Sequence, residues 1–243
     1  MPSMPLPRRR LMSKKSNPEI LAHEPTELGM LCLRRRELLG RPGTIVTEIT
    51  LDHQLLMSSY NTVSERALAS CALDLHPGRD LSVLVGGLGL GYTAYEALAS
   101  PRVGRVDVVE YLPQVIDWLD RDLVPLSEQL KGDSRLHVAE GDIFERLSSN
   151  PQTRHDLILI DIDHAPDEPL GAASESFYSV PGLQRARAHL HEGGVMAVWS
   201  YAEDSPFARA LHAVFRDVSV VPILIHNDLI DEETTDWLFV ARG

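Results

Sequence analysis

Three acids stand at the ends of successive apolar runs. Glu110 closes VDVVE, Asp142 sits in EGDIF, and Asp161 closes DLILID. Glu110 is placed to accept two hydrogen bonds from a ribose diol, with Tyr111 beside it. Asp142 can accept from an adenine amino group while Ile143 packs on the ring. Asp161 falls where the reactive part of such a ligand would lie. A carboxylate there can position an amine and take its proton. Upstream, LSVLVGGLGLG (81–91) sets Gly87, Gly89 and Gly91 at alternate positions between an apolar run and the helix-like YTAYEAL. Glycine tolerates positive φ and lets a ligand approach the main chain. A helix start behind the turn adds free N–H groups and a positive end. Together these residues predict a nucleoside-containing ligand.

Other chemistries find less support. Asp161-x-Asp163-His164 has the look of a metal motif, but Trp199-Ser200-Tyr201 follows the next strand where further ligands would be needed, so no metal is expected. His189 and His191 have no third ligand nearby, and no HExxH occurs. Ser174 and Ser176 lie in no GxSxG pattern. Cys32 and Cys71 form no CxxC and read as reduced thiols. Gly89-x-Gly91-x-x-Ala94 also fits a dinucleotide fingerprint, with Glu110 as its ribose acid.

The elements that must hold these residues alternate. Strands are predicted at 81–85, 105–110, 136–139, 156–161, 195–200, 218–225 and 237–241. Helices are predicted at 65–75, 92–99, 113–123, 143–147, 179–190 and 204–215. Strand–helix alternation gives a parallel sheet with helices on both faces. The last two strands leave no room for a helix and read as a hairpin joined through an acidic loop, Asn227–Asp236. That loop is read as solvated, or else as a rim of the acceptor pocket. The fold class is therefore α/β, a Rossmann-like seven-stranded AdoMet-transferase sheet with a terminal hairpin. TIVTEITL, the turn Asp52-His53 and QLLMSS add a small N-terminal β unit.

Three segments are expected: a flexible basic arm over 1–25, the β unit over 26–62 and the Rossmann-like transferase domain over 63–243. Its first 20 residues hold Arg8, Arg9, Arg10, Lys14 and Lys15 with Pro2, Pro5, Pro7 and Pro18. A net charge of −12 and a pI near 5.2 argue against a nucleic-acid partner. No signal peptide or 18-residue apolar run is found, so no membrane association and a cytoplasmic location are expected.

The chain resembles the spermidine/spermine synthases, the polyamine aminopropyltransferases. Their GGGDGG motif aligns with GLGLGY, Gly87 to Tyr92; their strand-end acid aligns with Glu110 and their adenine-side Asp with Asp142. Their YDxIxxDSSDPxGP…FY stretch aligns on HDLILIDIDHAPDEP…FY, so Asp161 matches the catalytic Asp and Phe177-Tyr178 the closing FY. LDHQLLMSSYNTVSE looks like the region that supplies one wall of the family's active site. The resemblance implies transfer of an aminopropyl group from decarboxylated AdoMet to a polyamine, in a homodimer. It also implies substrate-binding roles for Glu65, Asp163, His164 and Tyr178.

Three departures bear on chemistry. Leu90 replaces the family's donor-selecting Asp, so ordinary AdoMet is no longer excluded on charge. His164 replaces the second Asp of DSSDP. Asn61-Thr62 and Val63-Ser64-Glu65 replace the family's DE and YHE, leaving Glu65. The acids left for a cationic acceptor are Asp161, Asp163, Asp167, Glu168 and Glu65. The expected function is alkylation of an amine from decarboxylated AdoMet or AdoMet, with an acceptor diverged from the family's. An AdoMet-dependent small-molecule methyltransferase and a non-catalytic nucleoside-binding homologue stand as alternatives. An NAD-dependent oxidoreductase is disfavoured by the terminal hairpin and by Asp142.

Overall fold

The computed structural model describes residues 18–38, 40–162, 176–203, 206–227 and 231–243. Most of the predicted basic arm and the positions of Asp163, His164, Asp167 and Glu168 lie outside them.

The chain opens on a four-stranded antiparallel sheet in the order β1-β2-β3-β4: β1 (Glu19–Thr26), β2 (Gly29–Glu37), β3 (Ile45–Leu51) and β4 (Gln54–Ser58). Asp52 and His53 form the β3–β4 turn, both at positive φ (45° and 71°), the backbone a tight two-residue hairpin demands. The sheet starts at Glu19, inside the segment read from sequence as an arm. The run LRRRE obscured β2, because three arginines in a row do not alternate with apolar residues. The pairing explains them. Glu48 on β3 has a side chain only 2% exposed and meets Arg34 at 2.8 Å and Arg36 at 2.6 Å. Burial works against its charge, and the two guanidiniums overcome that and hold its carboxyl below the ordinary range.

Next comes α1 (Val63–Leu75), whose Leu68, Ala69, Ala72 and Leu73 are buried at helical spacing. The alternating part then runs β5 (Leu81–Gly86), α2 (Tyr92–Ala99), β6 (Val103–Glu110), α3 (Pro113–Asp120), α4 (Ser127–Gly132), β7 (Leu136–Glu140), α5 (Ile143–Ser148) and β8 (His155–Ile160). It ends with α6 (Val180–Ala188), β9 (Leu190–Ser200), α7 (Pro206–Val214), β10 (Asp217–Asn227) and β11 (Glu232–Arg242).

The strands form one seven-stranded sheet, β10-β11-β9-β8-β5-β6-β7. β9, β8, β5, β6 and β7 are parallel, and β11 and β10 pair antiparallel as the predicted hairpin. The hairpin is longer than the sequence suggests. Glu232–Asp236 are strand, paired with Ile223–Asn227, and not loop. Strand order reverses between β5 and β8, so a crevice opens at the carboxyl ends of these two strands.

Strand alternation divides the core. Val83, Val85, Leu157, Leu159 and Ala197 face α1, α2, α3 and the N-terminal sheet, with Trp118 fully buried among them. Leu84, Ile158, Ile160 and Met196 face the other way, onto Phe144, Phe177, Phe207 and Leu211. The small sheet shares the first of these cores through Leu31, Leu33 and Ile49. Trp118 Nε1 donates to Glu24 Oε1 at 3.2 Å, and Arg35 Nη2 donates to the Leu123 carbonyl at 3.1 Å. These bonds fix the small sheet over the crevice. No helix among the described residues is long and apolar enough to cross a membrane.

Candidate active site

The β5–α2 turn is built on left-handed glycines: φ is +98° at Gly87, +50° at Gly89 and +87° at Gly91. Space as well as backbone excludes a side chain. A Cβ at Gly87 would collide with the main-chain oxygen of Asp161, and one at Gly89 with Met57 Sδ. The turn is hydrogen-bonded to its neighbours. Gly87 N donates to the Val109 carbonyl at 2.9 Å, and Asp161 N to the Gly86 carbonyl at 2.9 Å. The ends of β5, β6 and β8 are thus locked side by side.

Glu110 is 7% exposed. Its Oε2 accepts from Leu88 N at 2.7 Å, inside the glycine turn, and its Oε1 from Leu112 N at 2.8 Å. Burial pushes its carboxyl up, and these backbone donors oppose that. The backbone N–H groups of Gly89 and Tyr111 also act on this carboxylate, so Glu110 ties the glycine turn to the end of β6. Asp142 is the N-cap of α5. Its Oδ1 accepts from Phe144 N at 2.7 Å and from Glu145 N at 3.3 Å. Oδ2 takes no part in the cap. Ile143 is buried against Gly86, where a Cβ would come within 2.7 Å of Ile143 Cγ1. Tyr111 is 45% exposed, and its hydroxyl donates to Glu27 Oε2 at 3.4 Å.

These groups line one cavity of about 750 Å3 between the sheet's carboxyl edge and the N-terminal β unit. That volume suits a small molecule. Gly87, Gly89, Glu110, Tyr111, Asp142 and Ile143 form one end. Leu28, Leu31, Ile49, Leu51 and Met57 of the small sheet form an apolar wall. At the other end stand Asp161, Glu65 and Asp236, with Trp199 and Asn61.

Desolvation pushes the Asp161 carboxyl up to about 6; the Thr93 hydroxyl, 2.5 Å from Oδ2, opposes that and the Asp236 charge adds to it. Glu65, in the first turn of α1, is pushed up to about 7 by desolvation and then by the Asp161 charge. Perturbed acids facing each other in a cleft are a signature of functional sites.

The structure therefore brings together most of the residues singled out from sequence. Gly91 is the N-cap of α2 and packs against Leu130, behind the cavity. Tyr178 does not line the cavity. It sits in an aromatic cluster with Phe144, Phe177 and Phe207 at ring separations of 5.0–5.8 Å. Phe144, which lines the cavity, stands at the edge of that cluster, so Tyr178 supports the wall and is not part of it. Leu90 also differs from expectation. It is fully buried in the core, and only its N–H is turned toward the cavity wall, donating to Met57 Sδ at 3.1 Å. Asp236 and Trp199 were missed as site residues; the one signal for Asp236 was its place in an acidic stretch able to rim a pocket. Among the described residues, no group of three or more His, Cys, Asp or Glu side chains could hold a metal ion.

No protein-family model matches the chain. It is 36% identical over 129 residues to polyamine aminopropyltransferase 2 of Streptomyces coelicolor, which covers 51% of this chain and 23% of that protein. It is 28% identical over 114 residues to putrescine N-methyltransferase 2 of Nicotiana tabacum, covering 47% and 31%. The chain thus spans less than a third of the length of these relatives. Among solved structures, spermidine synthase from Thermotoga maritima superposes with a TM-score of 0.72 over 92% of this chain and 72% of that one, at 18% identity. A spermidine synthase in complex with the transition-state analogue AdoDATO gives 0.73 over 92% and 73%, also at 18% identity. The chain is thus similar in sequence to part of a polyamine aminopropyltransferase and of a putrescine N-methyltransferase, and it shares the Rossmann-like fold of spermidine synthase.

Proposed function

We propose that the protein is a transferase that moves an alkyl group from a sulfonium adenosine donor to an amine. One observation carries this reading: the glycine turn with Glu110 and Asp142, and the carboxylates of Asp161, Glu65 and Asp236, line a single cavity. In it, Glu110 would hold the ribose, Asp142 Oδ2 the adenine amino group, and Ile143 and Tyr111 the ring. Asp161 would receive the acceptor amine. Glu65, and Asp163 and His164 beyond the described residues, would complete the acceptor end.

The reaction balances simply. The amine lone pair forms a C–N bond at the carbon attached to sulfur. The C–S bond breaks, its electron pair stays on sulfur, and a neutral thioether nucleoside leaves. The amine's surplus proton passes to Asp161. An acid poised near neutrality suits that transfer at ordinary pH. A cationic sulfonium is a good leaving group, so alignment supplies much of the acceleration.

Aminopropyl transfer from decarboxylated AdoMet is the first reading, supported by the match of Asp161 to the family's catalytic Asp. Methyl transfer from AdoMet is the second, supported by Leu90, whose apolar side chain offers no carboxylate to select the decarboxylated donor. Both belong to a soluble homodimer acting on a small amine, with no metal.

Calorimetry with AdoMet, decarboxylated AdoMet, methylthioadenosine and NAD tests the reading. Binding of the sulfonium donors and methylthioadenosine, with turnover of an amine from a panel that includes putrescine and lost in Asp161→Asn, is the expected result. Binding of NAD alone would overturn it. The preferred donor decides between the two transfers, and sedimentation measures the dimer.

A further inference from the structure

Thr93 lies in the first turn of α2 and is 2% exposed. Its Oγ1 stands 2.5 Å from Asp161 Oδ2 and 3.1 Å from the main-chain oxygen of Glu65. A hydroxyl has one hydrogen, while a carbonyl and an ionised carboxylate can only accept. With Asp161 ionised, Thr93 can therefore donate to only one of its two neighbours. With Asp161 protonated on Oδ2, the carboxyl donates to Oγ1 and Thr93 donates to the Glu65 carbonyl, which serves every oxygen in the chain.

We propose that Thr93 is a positioning residue: it holds Oδ2 of Asp161, leaves Oδ1 as the atom presented to the acceptor, and passes the proton state of Asp161 to the first turn of α1. This rests on the reading of Asp161 as proton acceptor. α1 carries Ser64 and Glu65 into the same cavity, so the acceptor end would respond as a unit.

Among the described residues, two acids act on Asp161. Glu65 faces it from α1 and Asp236 from β11. Arg66, the next residue of α1, is turned away, onto Glu96 at 2.9 Å and the rings of Tyr92 and Tyr95.

Carbon-13 and nitrogen-15 NMR of the full chain tests this without donor or acceptor. Glu65→Gln removes the competing titration, and Asp161→Asn assigns the carboxyl signal. The amides of residues 64–69 should titrate with the Asp161 midpoint. Thr93→Val should raise that midpoint by about one unit and uncouple the amides, because a donor to the charged form is lost. Thr93→Ser should restore both. In turnover of whichever amine of that panel is used, Thr93→Val should lower kcat and leave KM nearly unchanged. Amides that ignore the Asp161 midpoint while Thr93 is present would overturn the proposal, whether or not the valine variant folds. Absence of turnover with every donor would overturn the proposed reaction and leave the NMR result to decide the coupling on its own.

Discussion

The indole Nε1 of Trp199 donates to Asp236 Oδ2 at 3.0 Å. Trp199 is near the end of β9 and Asp236 lies in β11, so this bond ties the antiparallel hairpin to the parallel sheet at the cavity's carboxylate end. The Asp236 charge raises the pKa of both Asp161 and Glu65. Asp236→Asn should lower both midpoints by NMR. It should also weaken binding of a cationic amine by roughly three- to ten-fold, since a charge-assisted contact is worth more than a neutral one. Methylthioadenosine affinity, measured by calorimetry, should hardly change.

Activity should rise with pH across the range set by the two raised acids. Asp161 loses its proton near 6 and Glu65 near 7. Below that range the base is occupied and the acceptor end carries less negative charge, so both proton transfer and amine binding are weak. A rate profile for kcat/KM should show its acid limb between about 6 and 7. Glu65→Gln should move the limb down toward 6, because the ionisation near 7 is removed and that of Asp161 remains.

The same acids should destabilise the fold at neutral pH. Each has a folded-state pKa above its ordinary value, so the stability it contributes is complete below about 4 and is lost as pH rises through the folded value. For Glu65, moved from 4.5 to about 7, the loss is on the order of 3 kcal/mol. Glu65→Gln should therefore raise Tm at pH 8 and have little effect at pH 4, by calorimetric scanning.

His155 should act in the opposite direction. It begins β8 at 1% exposure, neither ring nitrogen has a hydrogen-bond partner among the described residues, and desolvation pushes it down to about 4. A depressed histidine contributes stability above 6.5 that is lost as pH falls toward 4. His155→Phe should flatten the acid side of the Tm–pH curve between those values. An unchanged acid limb would show that His155 is not the group responsible.

Gly87→Ala should reduce affinity for methylthioadenosine by at least about ten-fold and cost about 1–2 kcal/mol of stability, from the left-handed backbone alone. The collision with the Asp161 carbonyl adds to that and should push β8 away from β5. Calorimetry and urea denaturation measure the two effects separately.

What could be read from the sequence follows the range of the interactions. The glycine turn, Glu110, Asp142 and Asp161 sit at strand ends within βα units, where an apolar run and the residue after it suffice. Asp236 could not be read in this way. GluGluThrThrAsp is polar enough to pass for loop, and only pairing with Ile223–Asn227 makes it strand. Strands β1 and β2 were hidden likewise, because the arginines of β2 make sense only beside Glu48. Leu90 and Tyr178 were placed in the site by alignment, but three-dimensional packing uses their side chains as core.

The hairpin has a consequence for how such a protein could change its substrate. Asp236 is held opposite Ile223, just past the last β11–β9 pair, Trp237 with Ser200. Side chains alternate faces along a strand, so a slip of one residue would put Thr235 or Trp237 into the cavity and turn the carboxylate outward. A single insertion between β10 and β11 could thus rewrite the charge at this end of the cavity while leaving Glu110 and Asp142 untouched.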